Sequence, residues 1–559
     1  MNQLKNWTLG LFVATLLATG PAQVQASVQL KNGNFFIGYT DIIYSGGFEP
    51  KMERIYNSKT PFKGVYGWGW GNEYEVYLTI SADGSAVVHE YGGGAENRFT
   101  PTAFNAAELD KAVKEIVDTA VKAGVAGSGG GIQTYTNKLK TDATFRNDEW
   151  QKFVDQGKLK PRQLKNDAKL ISNRFSFQFI SRVQGGYLRI SESGKVEKFG
   201  ENGKLLRVSD KNGNFIDFTY GKDGHMSKLV DNFNRKMFFQ YNNQGLLTKI
   251  DGENSKSATF SYNDRAELTK SVDVDGNEYT FKYDTAGRHN LVGINYSDKT
   301  SMEVAYWGQD KSEHVKSVKD RDGTLTEYVY NIKGNIFGVT VTVKGSDKKP
   351  IGKTYYEYEF ATYKDGGEWT RRLKVVADGD VTDTTYNECC GLPLQIKHGS
   401  DVTTFEYDTK GHVTKKTTPS EITELHYDPT VGKVDRVAKY SKFDKKEVSW
   451  STFEYDAKGN LKFAKNSEGK GVKLAYDNSG RIMSLVDQNH RQVNFKYNED
   501  SKPEEITDPA VGTIRVTYTN TGEIKKVDST AGRKIALQVT SAFQNLLDII
   551  RPAGVSLTF

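Results

Sequence analysis

The sequence has little cysteine, little proline and little net charge, and two of these shortages each exclude a class of protein. The only cysteines among 559 residues are the adjacent Cys389 and Cys390. A disulfide framework therefore cannot hold so long a chain together, and we expect both thiols to be buried or reduced. The 76 basic and 70 acidic residues are interleaved. That balance excludes the one-sided positive surface typical of nucleic-acid-binding proteins.

Long hydrophobic runs are absent after the first residues. A run of about 13 apolar residues follows Lys5, whereas a helix needs ~20 to cross a bilayer. Small residues then lead to Ala26, which is the order typical of a secretory signal peptide. A membrane anchor is the alternative. We predict a signal peptide over residues 1–26 and an exported protein, in the periplasm, on the cell surface or outside the cell.

Aromatic residues, glycine and a regular repeat are abundant. Tyrosine, phenylalanine and tryptophan make up 12% of the chain, and there are 54 glycines. Aromatic positions recur every 21 residues in two long runs, a spacing that chance does not produce. The members of these runs are Phe199, Tyr220, Tyr241, Tyr262 and Tyr283, and then Tyr455, Tyr476, Tyr497 and Tyr518.

Each repeat has the pattern of a β-hairpin. Met237, Phe239 and Tyr241 alternate with polar residues and so share one face of a strand. A turn of the form Asp-x-x-Gly follows, as at 477–480, because aspartate bonds to nearby backbone and glycine accepts positive φ. The sequence predicts a mainly β fold: about 15 hairpin repeats of ~21 residues, coiled into an extended spiral, partial shell or barrel-like wrap.

Residues 104–171 break this pattern and predict a small α-helical insertion. Apolar residues from Ala106 to Ala123 recur at helical spacing. Gly124 to Gly131 predicts a loop, and Asp148 to Gln156 predicts a second short helix. The insertion either caps the start of the sheet, plugs the shell or contacts a partner.

Two features of the sequence resemble the Rhs/YD-repeat family. The family signature Phe-x-Tyr-Asp-x-x-Gly-x-Val/Leu stands at 405–413 and 453–461 and, with an insertion, at 281–291. Near the N-terminus, Gly67-Trp68-Gly69-Trp70 lies in a segment that resembles the domain opening many Rhs proteins. The resemblance implies an N-terminal Rhs-type β domain over 27–103, the insertion over 104–171 and a YD-repeat array over 172–559. Family members form hollow shells, some around a C-terminal toxin that we do not expect in this chain.

The sequence predicts no catalytic residue, no metal site and no cofactor. The eight histidines show no metal-ligand spacing, and Asp273 and Asp320 favour turns over calcium loops because the required glycine spacing is missing. Trp68 and Trp70 are candidates for stacking on sugars, although their position in the family favours core packing. Leu557 and Phe559 lie on a final strand without a return partner. That strand either lies against its own sheet or docks another chain.

Three functions remain open. The main hypothesis is a secreted or cell-envelope scaffold that binds a glycan or a protein surface. The first alternative is an accessory shell that encloses or escorts a separately encoded cargo or toxin, and the second is a polysaccharide-acting enzyme. A cavity with an apolar, uncharged lining would favour the cargo shell. A wet, acidic hollow would favour the enzyme, and outward-facing aromatics would favour the adhesive scaffold.

Overall fold

The fold consists of a small N-terminal sheet, three helices and one very long antiparallel sheet. A computed structural model describes residues 27–44, 48–60, 62–101, 106–125, 129–166, 168–172, 178–191, 193–253, 255–308, 313–363, 366–388, 391–499, 501–508, 512–518 and 524–529. No helix among these residues is long and apolar enough to cross a membrane. Cys389, Cys390 and the predicted signal peptide lie outside the described residues.

The N-terminal sheet has four strands in the order β1-β2-β3-β6. A separate two-stranded hairpin, β4–β5, lies between β3 and β6 in the chain, and a 3₁₀ turn follows later at Tyr91–Gly93. The strands are β1 Ser27–Gln29, β2 Asn34–Ile43, β3 Lys51–Asn57, β4 Lys63–Gly64, β5 Gly67–Trp68 and β6 Trp70–Asn72.

The long sheet contains 36 strands, and each is antiparallel to the strands it pairs with. This includes β9 and β10, which the helices separate in the chain. Within the described residues its last strand does not pair with its first, so the sheet is open. The strands are β7 Tyr77–Ile80, β8 Ala86–Glu90, β9 Ala95–Thr100, β10 Lys169–Ser172, β11 Phe179–Val183, β12 Gly186–Ile190, β13 Val196–Gly200, β14 Leu205–Ser209, β15 Phe215–Tyr220, β16 Met226–Asp231, β17 Lys236–Tyr241, β18 Leu247–Gly252, β19 Ser257–Tyr262, β20 Leu268–Val272, β21 Glu278–Tyr283, β22 Leu291–Tyr296, β23 Ser301–Tyr306, β24 Val315–Lys319, β25 Leu325–Lys333, β26 Ile336–Lys344, β27 Pro350–Thr362, β28 Glu368–Ala377, β29 Asp380–Tyr386, β30 Pro393–His398, β31 Asp401–Tyr407, β32 Val413–Thr417, β33 Glu421–Tyr427, β34 Val434–Ser441, β35 Glu447–Tyr455, β36 Leu461–Asn466, β37 Gly471–Tyr476, β38 Ile482–Asp487, β39 Gln492–Tyr497, β40 Pro503–Asp508, β41 Gly512–Tyr518 and β42 Ile524–Ser529.

The hairpin repeat predicted from the sequence is confirmed, as is the mainly β fold with a helical insertion. In a typical unit, β37 ends at Tyr476, where the register shifts by a β-bulge, and β38 returns after the turn. The Asp477 carboxylate accepts the backbone N–H groups of Ser479 and Arg481 at 2.9 Å each. Gly480 has a φ of +80°, which glycine adopts without strain. Turn chemistry therefore sets the register of each hairpin.

The repeat tyrosines connect successive hairpins through their hydroxyl groups. Each donates to the carbonyl that opens the second strand of the preceding hairpin, at 2.5–3.1 Å. We call this set the tyrosine ladder. Its members are Tyr220, Tyr241, Tyr262, Tyr306, Tyr407, Tyr427, Tyr455, Tyr476, Tyr497 and Tyr518.

Ten consecutive strands, β15 to β24, wrap around the N-terminal sheet, so one apolar core is shared by both. Contacts run from the Tyr74 ring against Phe218 to the Val315 N–H group, which donates to the Gly33 carbonyl. At the centre, the fully buried Arg54 guanidinium bonds to Asp41 at 3.0 Å and to Ser271 at 2.7 Å. The N-terminal sheet thus fills part of the concave face of the long sheet.

The long sheet coils until its later hairpins meet its early ones. The turn between β14 and β15 contacts the turn between β35 and β36, where Lys211 Nζ donates to the Gly459 carbonyl at 2.7 Å. Asn460 Nδ2 donates to Asn212 Oδ1 at 2.9 Å in the same place. We call this contact the coil junction. One circuit takes the 21 strands from β15 to β35, which at ~4.8 Å per strand gives a circumference of roughly 100 Å.

The insertion forms three helices, α1 Ala106–Lys122, α2 Gly130–Thr141 and α3 Ala143–Asp155. Helix α1 matches the predicted helix. Helix α2 was not predicted: the predicted loop ends at Gly131, and the chain continues from there as a helix. The third begins earlier than predicted, because the Asp142 carboxylate accepts the Phe145 N–H group at 2.8 Å and caps its start. Their buried faces meet in a separate core around Ile116, Leu139 and Trp150.

Candidate functional site

The candidate site is a cavity of about 1110 Å³ where the N-terminal sheet, the helices and the long sheet meet. We call it the aromatic cavity. The N-terminal sheet and the loops beside it contribute Lys31, Asn32 and Lys59, and the start of α3 contributes Ala143, Thr144 and Asn147. Strands β8 and β9 contribute Val87, Glu96 and Arg98, and His314 precedes β24. Most of the remaining wall comes from strands β25 to β29, including Phe337, Tyr358, Phe360, Trp369, Leu373 and Tyr386.

The wall depends on strands that are longer than the repeat. A typical strand of the array has 6 residues, whereas β25 and β26 have 9, β27 has 13 and β28 has 10. Tyr330 occupies the repeat position, but β25 stays paired with β26 beyond it, as far as Lys333 opposite Ile336, so the chain turns only at Gly334. Along β27, Tyr356, Tyr358 and Phe360 alternate and therefore share the concave face.

The helices are anchored beside the cavity by a buried charge cluster. Arg146, which is 2% exposed, donates to the Leu139 carbonyl at 2.7 Å and to Asp83 at 3.3 Å. Arg98 donates to the same Asp83 carboxylate at 2.5 Å. Burial alone would raise the pKa of Asp83, but Arg98, the bonds from Ser85 and Arg146 outweigh it and lower the pKa. This carboxylate therefore stays ionised and holds the insertion to the β7–β8 turn.

The insertion also touches the turn between β27 and β28. Gly366 has a φ of +90°, and a side chain there would come within 2.4 Å of the Thr141 carbonyl oxygen. Only glycine fits both the turn and this approach. The contact encloses one side of the aromatic cavity.

The lining is mainly aromatic and aliphatic, with charges in the minority. The charged members are Lys31, Lys59, Glu96, Arg98 and Glu368. Burial lowers the pKa of Lys59, which indicates a weakly hydrated environment at that side of the cavity. The His314 ring packs at a tilt of 48° against the Tyr330 ring, with centroids 4.7 Å apart, and His314 is 5% exposed. The surface is suited to apolar groups and aromatic rings rather than to charged ligands.

Trp68 and Trp70, two of the candidate residues named from the sequence, lie outside the aromatic cavity. Trp70 is fully buried in the N-terminal core and donates from Nε1 to the Tyr283 hydroxyl at 2.8 Å. Trp68 is half-buried and stacks on the His289 ring at 4.6 Å, so its binding role stays a prediction. Leu557 and Phe559 lie outside the described residues. One feature of the sequence does indicate the aromatic cavity: the alternation of Tyr356, Tyr358 and Phe360 along β27.

The described residues contain no group of three histidine, cysteine, aspartate or glutamate side chains able to hold a metal ion. Asp273 illustrates why, since its carboxylate accepts the backbone N–H groups of Asp275 and Asn277 at 2.9 Å and shapes a turn.

Two family models match the chain. The teneurin YD-shell model matches residues 197–293 and 420–558, and a domain of unknown function (DUF6531) matches residues 25–99. No curated protein matches. Among solved structures, the chain is similar to a TcdB2–TccC3–TEV complex, with 12% identity and a TM-score of 0.38 over 95% of this chain and 32% of that one. A second is a Tc holotoxin pore from Photorhabdus luminescens, with 13% identity and a TM-score of 0.38 over 89% of this chain and 29% of that one. The chain thus spans about a third of the length of these structures.

Proposed function

This chain is an Rhs/YD-repeat protein, and from that premise we propose that it is an exported, non-enzymatic shell that holds a separately encoded polypeptide on its concave face. The aromatic cavity is the observation that carries the proposal. An extended polypeptide presents apolar side chains and rings, which the lining of Phe337, Phe360 and Trp369 would remove from water.

The position of the cavity supports the same function. The N-terminal sheet covers the concave face from β15 to β24, and the aromatic cavity begins directly beyond it, at β25. A polypeptide in the cavity would therefore continue the layer that the chain's own N-terminal residues provide. Export is part of the proposal because the segment before Ser27, the first residue of β1, has the pattern of a signal peptide.

The two other hypotheses have less support. We expected a polysaccharide-acting enzyme to have a wet, acidic cavity. Among the described residues, however, Glu96 and Glu368 are the only carboxylates that line the aromatic cavity. An adhesive scaffold that binds through outward-facing aromatic residues would need a row of exposed rings. The described strands and turns expose Phe443 at 83% and Phe238 at 46%, far apart in the array.

Site-specific photo-crosslinking in the native host tests the proposal. A photoreactive phenylalanine analogue replaces Phe360 in the cavity, and the control carries it at the exposed Phe443. We expect one polypeptide to be crosslinked from position 360 and none from position 443. Because the proposal includes export, the crosslinked protein should begin at Ser27. Crosslinking from position 443 alone would contradict the proposal and favour an outward binding surface.

A further inference from the structure

A second cavity, of about 380 Å³, lies between the end of the N-terminal sheet and the first strands of the long sheet. We call it the polar cavity. Its lining includes Glu73 and Tyr91 on the N-terminal side and Arg189, Lys195 and Glu197 from strands β12 and β13 and their turn. The volume is at the small end of the range for small-molecule sites, roughly 300–1,000 Å³. One or two six-membered rings would fill it.

The charges of Glu90, Arg189, Lys195 and Glu197 in the polar cavity cancel, and Glu73 is a third carboxyl group in the lining. Arg189 contacts Glu90 at 2.6 Å and Glu197 at 3.1 Å, and Lys195 contacts Glu197 at 2.8 Å. Two carboxylates thus face two cations. Because the Glu197 side chain is 7% exposed and that of Arg189 is 11% exposed, this network forms a fixed floor. An ionic ligand would disturb the balance, whereas a neutral ligand would keep it.

Glu73 provides a polar group that the protein itself does not saturate. Its Oε1 atom is buried and has no hydrogen-bond partner among the described residues. The nearest cation, Lys51 Nζ, lies 3.8 Å away and is 2.5 Å from Glu53 instead. Burial raises the pKa of Glu73 to about 8, so the carboxyl group is protonated and neutral at pH 7. It can donate one hydrogen bond and accept another.

The remaining lining supplies hydroxyl, amide and aromatic groups. Ser191 and Ser193 lie at the mouth, with their Oγ atoms 3.0 Å apart, and Gln178 lies beside Arg189. Tyr74 and Tyr91 add ring surfaces. Sugar hydroxyls both donate and accept hydrogen bonds, and the apolar faces of sugar rings pack on aromatics. We propose that the polar cavity binds one or two residues of a neutral saccharide. This ligand is independent of the polypeptide proposed for the aromatic cavity.

The test uses the full mature chain and an array of neutral and acidic oligosaccharides, followed by calorimetry with the strongest neutral binder. Ser193→Trp blocks the mouth from an exposed turn, and Ser400→Trp in the turn between β30 and β31 is the matched control. We expect S193W to weaken binding at least tenfold and S400W to leave it unchanged. The absence of binding, a preference for acidic sugars or an unaffected S193W would overturn the proposal.

A pH profile tests the role of Glu73 separately. The groups that face this carboxyl are Lys51 and Glu53 from β3, Lys195 from the turn after β12, and the hydroxyls of Tyr74 and Tyr91. Between pH 7 and 9 Glu73 loses its proton, so we expect affinity to fall by about tenfold. Glu73→Gln keeps a neutral donor and should bind with a flat profile. A flat profile for the unaltered protein would overturn the assignment of Glu73 as the donor.

Discussion

Each tyrosine of the tyrosine ladder joins its own hairpin to the preceding one through a single hydroxyl group. The ring position follows from the 21-residue spacing, but the partner of the hydroxyl does not, because it is a backbone carbonyl whose place depends on the β-bulge at the tyrosine. Tyr283 occupies the same repeat position but has a different hydrogen-bond partner. Where the N-terminal sheet docks, the Tyr283 hydroxyl accepts a hydrogen bond from Trp70 instead.

We predict that Tyr497→Phe lowers the free energy of unfolding by about 1 kcal/mol, because the half-buried hydroxyl donates to the Ile482 carbonyl at 2.7 Å. Denaturant titration measures the change. Tyr355→Phe is the control, since the hydrogen bond of that hydroxyl is to Glu357 of its own strand, at 3.0 Å, and does not join two hairpins. If both substitutions cost the same, the ladder contributes no coupling between hairpins.

At the scale of elements, strands were more predictable than helices. A strand of the array carries its own pattern of alternation and turn, so its sequence alone indicates its bounds. Helix α2 has no such pattern: glycines open it and threonines recur along it, and both disfavour helices. It forms because Leu139, Ile132 and Tyr135 pack against α1 and α3. Tertiary contacts of this kind leave little trace in a single sequence.

The anchoring of the insertion leads to a prediction at this scale. Arg146→Met removes the bonds to Leu139 and Asp83. Asp83 then keeps Arg98 and the bonds from Ser85 but loses one of its two cations. We expect a loss of about 3 kcal/mol, confined to the insertion. Hydrogen exchange should therefore show weaker protection over residues 106–155 and unchanged protection over β29 to β42.

The control for this experiment is Lys114→Met in α1, where the pair with Asp118 is exposed and contributes little. Uniform loss of protection through the array in the Arg146 variant would contradict the prediction, since it would mean that the insertion and the long sheet unfold as one unit.

At the scale of the whole molecule, the sequence predicted that the sheet coils, but it did not predict how many strands make one circuit. Local pairing of 21-residue units and strand twist are enough to predict a coiled sheet. The number of strands per circuit depends on which turns meet, and Asn212 meets Asn460 across 248 residues. The aromatic cavity beside Phe360 could not be predicted for the same reason. It exists only because the helical insertion contacts the long strands that line it.

The coil junction gives the last prediction. Lys211→Met combined with Asn212→Ala removes side-chain bonds to the turn between β35 and β36 without changing Asp210 or Gly213, which shape their own turn. If these bonds hold successive circuits together, their loss lets the coil open, and the radius of gyration from small-angle X-ray scattering increases. Lys222→Met with Asn243→Ala, in exposed turns away from the junction, should leave it unchanged. An unchanged radius in the junction variant would mean that the side chains of Lys211 and Asn212 do not set the curvature. Strand twist, the wrapped N-terminal sheet and the remaining bond from Asn214 Nδ2 to the Ser479 carbonyl, at 2.8 Å, would then hold the coil.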